Sequence, residues 1–298
     1  MQEKGPGSAR MRWLWLAAAA IVALLAARAA ATGNNPTGPV PLLIKPPATI
    51  APAAPAAAEL ARRMQEAIET IAPGTTAGID VVDIATGTVI ATVNAGSQFY
   101  TASVVKVLIA LDALKRADWQ PDSSAAELLT AMLATSDDDI ADALWDEGGR
   151  EAIITRMTTL IGLPGTVPPD DLDQWGETLT TPRDVVAMLT YLTTRVPAPA
   201  RDLILTALRD TEEISADGTD QYFGIPSALS GHPWAVKQGW MYLDDSLTLA
   251  TTGLVAPADD RPLHYAVVIL TTQPVETSWA DAESALTAAV TLLRPALT

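Results

Sequence analysis

Residues 77–106 read AGIDVVDIATGTVIATVNAGSQFYTASVVK, and the reading of this stretch decides the fold. Ala77–Ile84 and Thr88–Asn94 alternate along the chain, the pattern of two strands, and Ala85-Thr86-Gly87 between them supplies a hairpin turn. The hairpin leads into Ser103–Lys115, a segment so apolar that it is expected as a mostly buried helix. Upstream, Glu59–Ile71 places Leu60, Met64, Ala67, Ile68 and Ile71 on one helical face, and Pro73-Gly74 stops it. Downstream, Ser124–Ala134, Asp138–Trp145, Glu151–Ile161, Pro182–Thr194 and Ala200–Arg209 read as helices, with an irregular acidic stretch at Gly162–Leu179. Trp234–Trp240, Leu247–Val255 and His264–Thr272 read as three more strands, with a turn at Pro257–Pro262, and Ala280–Leu293 as a closing amphipathic helix. Strands at both ends of a chain form one antiparallel sheet when the helices between them make a separate lobe. The expected architecture is α+β: a five-stranded antiparallel sheet, its first and last helices on one face, and an all-helical lobe bordering a cleft. The sheet lobe would comprise 58–102 and 230–298, and the helical lobe 103–229.

The segments before this domain have their own signature. Residues 1–12 are polar and basic, Trp13–Ala27 is an uncharged apolar run, and Ala29-Ala30-Ala31 offers a small-residue cleavage pattern. This predicts a signal peptide over 1–31, or a membrane anchor if it is left uncleaved. Either way the remainder would be exported, secreted or held at the cell envelope. No cysteine follows the run, which excludes attachment through a lipidated cysteine. Residues 32–57 hold seven prolines among Ala, Thr and Gly and read as an extended linker.

Composition removes several function classes. The chain of 298 residues has a formal net charge of −16, with 19 Lys+Arg against 35 Asp+Glu. Phosphate binding needs clustered cations, so nucleic acid is not an expected partner. An anionic membrane surface is excluded for the same reason, leaving the N-terminal segment as the sole membrane contact. Cysteine is absent, which removes thiolate nucleophiles and cysteine metal sites. The two histidines, His232 and His264, do not make a His-rich metal site, and neither a metal nor a cofactor is expected.

Lysine is the informative residue. Beyond the linker there are eleven arginines but three lysines, Lys106, Lys115 and Lys237. A composition that prefers arginine keeps lysine where an amine must lose a proton, which guanidinium does not do. Lys106 lies three residues after Ser103, one helical turn on and on the same face. A desolvated lysine beside a serine at a helix start is a general base beside a nucleophile. Alone, Ser-x-x-Lys also describes an N-capping serine and a decorative lysine.

Further motifs lie in order along the chain: Ser136-Asp137-Asp138 within MLATSDDDIADALW, Thr180-Thr181-Pro182 opening a helix, and Lys237-Gln238-Gly239 within AVKQGW. With Ser103-Val104-Val105-Lys106, this set resembles the penicillin-recognising serine hydrolases, the class A β-lactamases and D-alanyl-D-alanine peptidases, whose motifs are S-x-x-K, S-D-N and K-T-G. The resemblance covers residues 58 to 295 and implies the fold reached above from pattern alone. It implies Ser103 as the acylated nucleophile, Lys106 as its base, Ser136 as a proton relay to the leaving nitrogen, and Lys237 as positive charge for a substrate carboxylate. It implies an oxyanion hole from the backbone N–H of Ser103 and Trp240, with Asp138, Gln238, Gly239 and Trp240 lining the substrate. The implied substrate is a β-lactam or a peptidoglycan-like amide.

The sequence also departs from that pattern. Asp138 stands where the family has Asn, so an amide donor is lost and a negative charge is added near Lys106. Gln238 replaces the Thr or Ser of the lysine motif. The segment from Gly162 to Pro182 lacks an E-x-x-N pattern, and none of Asp170, Asp171, Asp173 or Glu177 matches a deacylating glutamate. Two readings therefore stand: a serine hydrolase with slow deacylation, or a degenerate domain that binds cell-wall material or a protein partner. Trp145, Trp175 and Trp279 are expected in packing, and His232 in a loop.

Overall fold

A computed structural model describes residues 55–257 and 262–297. The expected signal segment, most of the linker, and part of the Pro257–Pro262 turn lie outside the described residues. The first described helix, α1, runs Pro55–Ile71, so Pro55–Ala57, assigned to the linker from sequence, are helical. Proline is tolerated in a first turn because its missing N–H is not needed there.

Strands β1 (Thr76–Asp83) and β2 (Thr88–Val93) form the expected hairpin, and β5 (Trp234–Tyr242), β6 (Ser246–Val255) and β7 (Tyr265–Pro274) complete the sheet. The order is β2-β1-β7-β6-β5, antiparallel throughout, so β1 from the N-terminal hairpin pairs with β7 from the C-terminal meander. A second pairing, β3 (Phe99–Tyr100) with β4 (Leu179–Thr180), ties the hairpin exit to the end of the acidic stretch. At two residues per strand it carries no alternation and was not legible in sequence.

The sheet is buried on both faces, and the period of two sorts its residues. Along β7, Val267 and Ile269 join α1 and the closing helix α9 (Trp279–Thr291) in one core. Ala266, Val268 and Leu270 join the helical lobe in the other. That lobe comprises α2 (Lys106–Arg116), α3 (Ser123–Ala134), α4 (Asp138–Gly148), α5 (Glu151–Ile161), α6 (Pro182–Thr194) and α7 (Ala198–Arg209). A one-turn helix, α8 (Ile225–Ala228), packs on the α1–α9 side, so the helical lobe ends before residue 229. Gly78 on β1 is fixed by packing: a Cβ there would meet the Phe99 ring at 2.4 Å and Pro182 at 2.8 Å.

The caps that start the helices are the ones sequence offers. Asp122, Asp137, Thr181 and Ser278 accept from backbone N–H groups in the first turns of α3, α4, α6 and α9. Gly149 and Gly162, at positive φ, end α4 and α5.

Candidate active site

Ser103 lies in a 3-10 turn, Ala102–Val105, and the α-helix expected to start at Ser103 starts one turn later, at Lys106. The turn is reached through Ala102 at φ 42°, a conformation that non-glycine residues rarely hold. Lys106 opens α2, and the tight turn points both side chains the same way: Ser103 Oγ is 2.8 Å from Lys106 Nζ.

Ser136 comes to the same place from the helical lobe. Asp137 caps α4 by accepting from Ile140 N at 3.0 Å, which sets Asp138 in the first helical turn and Ser136 just outside it, at φ 57°. Lys106 Nζ reaches the Ser136 carbonyl at 2.7 Å and its Oγ at 3.2 Å. Lys237 arrives on the edge strand β5 and donates to Ser136 Oγ at 2.9 Å. Ser103, Lys106, Ser136 and Lys237 thus form one connected, buried polar chain. Gly239 permits the approach of β5, because a Cβ there would lie 2.8 Å from the Thr101 carbonyl and 3.2 Å from Val104.

Asp138 contacts Lys106 directly, Oδ1 to Nζ at 2.5 Å, with its own side chain 60% exposed while that of Lys106 is wholly buried. Burial is the largest influence on the Lys106 ammonium and pushes its pKa below the usual lysine value. Asp138, and more weakly Asp137 and Asp217, pull it back up. Lys237 is driven well below the ordinary value by burial and then by the nearby charge of Lys106, with Asp138 and Asp217 opposing. Two amines with weakened hold on their protons, joined through a hydroxyl, can move a proton among Ser103, Ser136 and a bound group.

The chain opens on a cleft of about 410 Å³, lined by Ala102, Ser103, Asp138, Asp142, Asp173, Gln174, Trp175, Gly176, Asp217, Trp240 and Met241. Trp240 lines it as expected. Gln238, expected at the substrate, is turned away: its Nε2 donates to the Gln221 carbonyl at 3.1 Å and the Phe223 carbonyl at 2.7 Å. Those two bonds hold the buried amide where it is, since a buried donor stays with its acceptors.

Trp175, assigned to packing from sequence, is a wall of the cleft. Its ring lies 4.8 Å from Lys106 Nζ and its Nε1 donates to Asp142 Oδ1 at 2.6 Å. Trp145 does pack in the core, donating from Nε1 to the Leu172 carbonyl, and Trp279 packs against Phe223. His232 sits in a loop against the Ala256 carbonyl, and His264 stacks near Tyr265, neither at the cleft. Sequence reasoning also missed Asp142 and Asp217. Asp142 follows Asp138 by one turn of α4, a spacing that puts both on one face. Asp217 sits in the turn Ser215-Ala216-Asp217-Gly218 and accepts from Trp240 Nε1 at 3.0 Å. Burial pushes the Asp142 pKa up despite the Trp175 bond. Burial also acts on Asp217, but hydrogen bonds from Ser215, Thr219 and Trp240 outweigh it and hold that pKa low. Among the described residues no group of three or more acids and histidines is placed to hold a metal ion.

Comparison with known proteins bears on the family and the fold. The profile of the β-lactamase enzyme family matches residues 59–121 and 119–293. Proteins named "Putative lipoprotein LppW" from Mycobacterium bovis and Mycobacterium tuberculosis are 34% identical over 274 residues, covering 86% of this chain and 83% of theirs. A β-lactamase from Chitinophaga pinensis superimposes with a TM-score of 0.66 at 17% identity, over 80% of this chain and all of that one. The structure of PBP-A matches with a TM-score of 0.65 at 20% identity, over 83% of this chain and 98% of that one. A variant of PBP-A, solved as an acyl-enzyme complex with penicillin G, gives 0.63 at 19% identity, over 80% and 96%.

Proposed function

This chain belongs to the β-lactamase enzyme family, and from that premise we propose that it is an acyl-transfer enzyme with Ser103 as nucleophile. The observation that carries the reading is the 2.8 Å contact between Ser103 Oγ and the buried amine of Lys106. Neutral Lys106 takes the Ser103 proton as Oγ attacks the carbonyl carbon of a β-lactam or peptidoglycan-type amide. The oxyanion is held by the N–H groups of Ser103 and Trp240. The tetrahedral intermediate collapses as the C–N bond breaks. Ser136 gives its proton to the leaving nitrogen and is reprotonated from the ammonium of Lys106, with Lys237 steadying it. The product is an ester on Ser103.

Deacylation is the slow half. Hydrolysis needs a water beside a base, and the Trp175 ring covers Lys106 where such a water would sit. None of the acids of the 162–182 segment, Glu177 included, matches a deacylating glutamate. We place the enzyme at the cell envelope, in keeping with the lipoprotein name of its mycobacterial relatives and with the apolar run at Trp13–Ala27. With no cysteine to carry lipid, this chain would be held by that run or released by its cleavage.

Incubation with a fluorescent penicillin and with an activated ester, followed by intact mass measurement, tests the reading. Labelling at Ser103, lost in Ser103→Ala and strongly slowed in Lys106→Ala, is expected, more slowly with the penicillin, whose carboxylate meets the acidic lining of the cleft. Absence of any Ser103 adduct would reject catalysis in favour of the second reading, a domain that binds cell-wall material or a protein without turnover. The Asp138–Lys106 contact is the observation on that side, since it favours the ammonium over the free amine, against the effect of burial.

A further inference from the structure

The wall of the cleft is built for a ligand of definite charge. Four carboxylates line it, from Asp138, Asp142, Asp173 and Asp217, and among the described residues no Lys, Arg or His joins them. Two of the four are paired, Asp138 with the buried Lys106 at 2.5 Å and Asp173 with the exposed Arg150 at 2.6 Å, which leaves Asp142 and Asp217 without a cationic partner among the described residues. Both lysines of the site lie beneath the wall. Lys237, which the resemblance assigns to a substrate carboxylate, is 2% exposed. Its Nζ is occupied by Ser136 Oγ at 2.9 Å and the Gln238 carbonyl at 3.2 Å. The side chain that would assist it in gripping an anion, Gln238, is bonded to the backbone on the far side of the strand.

Two indoles stand beside the carboxylates, and each is fixed by one of them. Trp175 donates to Asp142 and Trp240 to Asp217. An ionised acid on the indole N–H raises the electron density of the ring face, and an aromatic face beside a carboxylate is the recognition element for an organic cation. Both rings already lie near an ammonium from below, 4.8 Å from Lys106 Nζ and 5.8 Å from Lys237 Nζ.

Resting on the reading of Ser103 as nucleophile, we propose that the cleft selects an acyl donor carrying an ammonium or guanidinium group close to the scissile carbonyl, and disfavours donors carrying a carboxylate. The charge of the lining attracts a cation into the cleft and repels an anion from it. The Trp175–Asp142 and Trp240–Asp217 pairs then hold the cation in place. The serine chemistry is unchanged; the charge preference belongs to the wall.

The test separates binding from chemistry. Three unreactive ligands, Nα-acetyl-lysine amide, Nα-acetyl-norleucine amide and Nα-acetyl-glutamate amide, are titrated against the full chain by calorimetry and tryptophan fluorescence at low and high salt. Saturable binding of the lysine derivative, about tenfold tighter than that of the glutamate derivative and weakened by salt, is expected. Asp217→Asn should reduce the preference to about threefold or less, and Asp142→Asn carries the same test if the first variant fails to fold. No saturable binding of the lysine derivative, or equal or tighter binding of the glutamate derivative, overturns the proposal. In parallel, Ser103 labelling by nitrophenyl esters of 5-(trimethylammonio)pentanoate and adipate, which do not readily cyclise, is followed by mass. Labelling without charge preference overturns the cation proposal alone, and charge-selective binding without labelling overturns the acyl-transfer reading alone.

Discussion

Replacing Asp138 by asparagine isolates the role of the charge beside the base. The carboxylate oxygen is 2.5 Å from Lys106 Nζ, and the Asp138 side chain is 60% exposed, so water screens the pair. Screened as in bulk water, two unit charges at that distance attract by about 1.7 kcal/mol. That energy stabilises the ammonium against the free amine that must accept the Ser103 proton. Its removal enlarges the reactive amine population by roughly tenfold wherever the lysine is mostly protonated. Burial already weakens the ammonium, and the substitution acts in the same direction. The amide introduced by Asp138→Asn also offers a donor that an ionised carboxylate lacks. The expected result is faster acylation of Ser103 by an activated ester, by about tenfold at the acidic end of the profile and converging with the parent at high pH. Stopped-flow acylation from about pH 5 to about pH 10, with mass measurement of the adduct, reads it. Identical profiles would mean that Lys106 is not the base, and a slower variant would mean that Asp138 itself carries the proton.

Other substitutions probe separate parts of the structure. Trp175→Ala clears the ring from above Lys106 and should shorten the life of the acyl-enzyme by about tenfold, as for roughly 1.4 kcal/mol off the barrier; an equal or longer life in a chase experiment refutes water exclusion by the ring. Asp80, on β1, has its pKa raised from 3.8 to about 6, first by burial, with Thr92 and Arg183 opposing. The fold therefore binds this proton more tightly than the unfolded chain, and stability falls as pH rises from about 4 to 6. Asp80→Asn should stabilise by up to about 3 kcal/mol at about pH 8 and by almost nothing at about pH 4, and melting curves showing a pH-independent difference would contradict the assignment. Gln238→Met should cost about 1–3 kcal/mol of stability by leaving the Gln221 and Phe223 carbonyls without a donor, while acylation kinetics stay within about twofold. Gly239→Ala should slow acylation at least tenfold, because its Cβ would press on the Thr101 carbonyl and move β5 off the turn that carries Ser103; an unchanged rate would deny β5 a part in the site.

What the sequence disclosed and what it withheld divide along physical lines. The hairpin, the C-terminal strands and most helix bounds are periodic features, and each extended at most a few residues beyond its expected range. Ser103, Lys106, Ser136 and Lys237 were legible because their motifs lie on elements whose order fixes where they meet. The direction of Gln238 was not, since it is set by the carbonyls of Gln221 and Phe223 in a segment without period. Trp175, Asp217 and the β3–β4 pairing were not legible. They lie in segments without period, and what brings them to the site is the packing of loops against elements distant along the chain.

The order of strands in the sheet also governs when the site comes into being. The β1–β2 hairpin is made early in synthesis, but the other neighbour of β1 is β7, which starts at Tyr265. Until then the hairpin has a bare edge, and the helical lobe lacks Ala266, Val268 and Leu270 to pack against. Ser136 waits for Lys237 across 101 positions of chain. Pairings this distant are slow to form, because loop closure precedes any reward from contact. A ribosome-bound or truncated chain ending before β5 therefore carries Ser103 and Lys106 without their partners. Such fragments are expected to be prone to edge-to-edge association, and the Ser103–Lys106 pair gains its partners only when the last quarter of the polypeptide has docked.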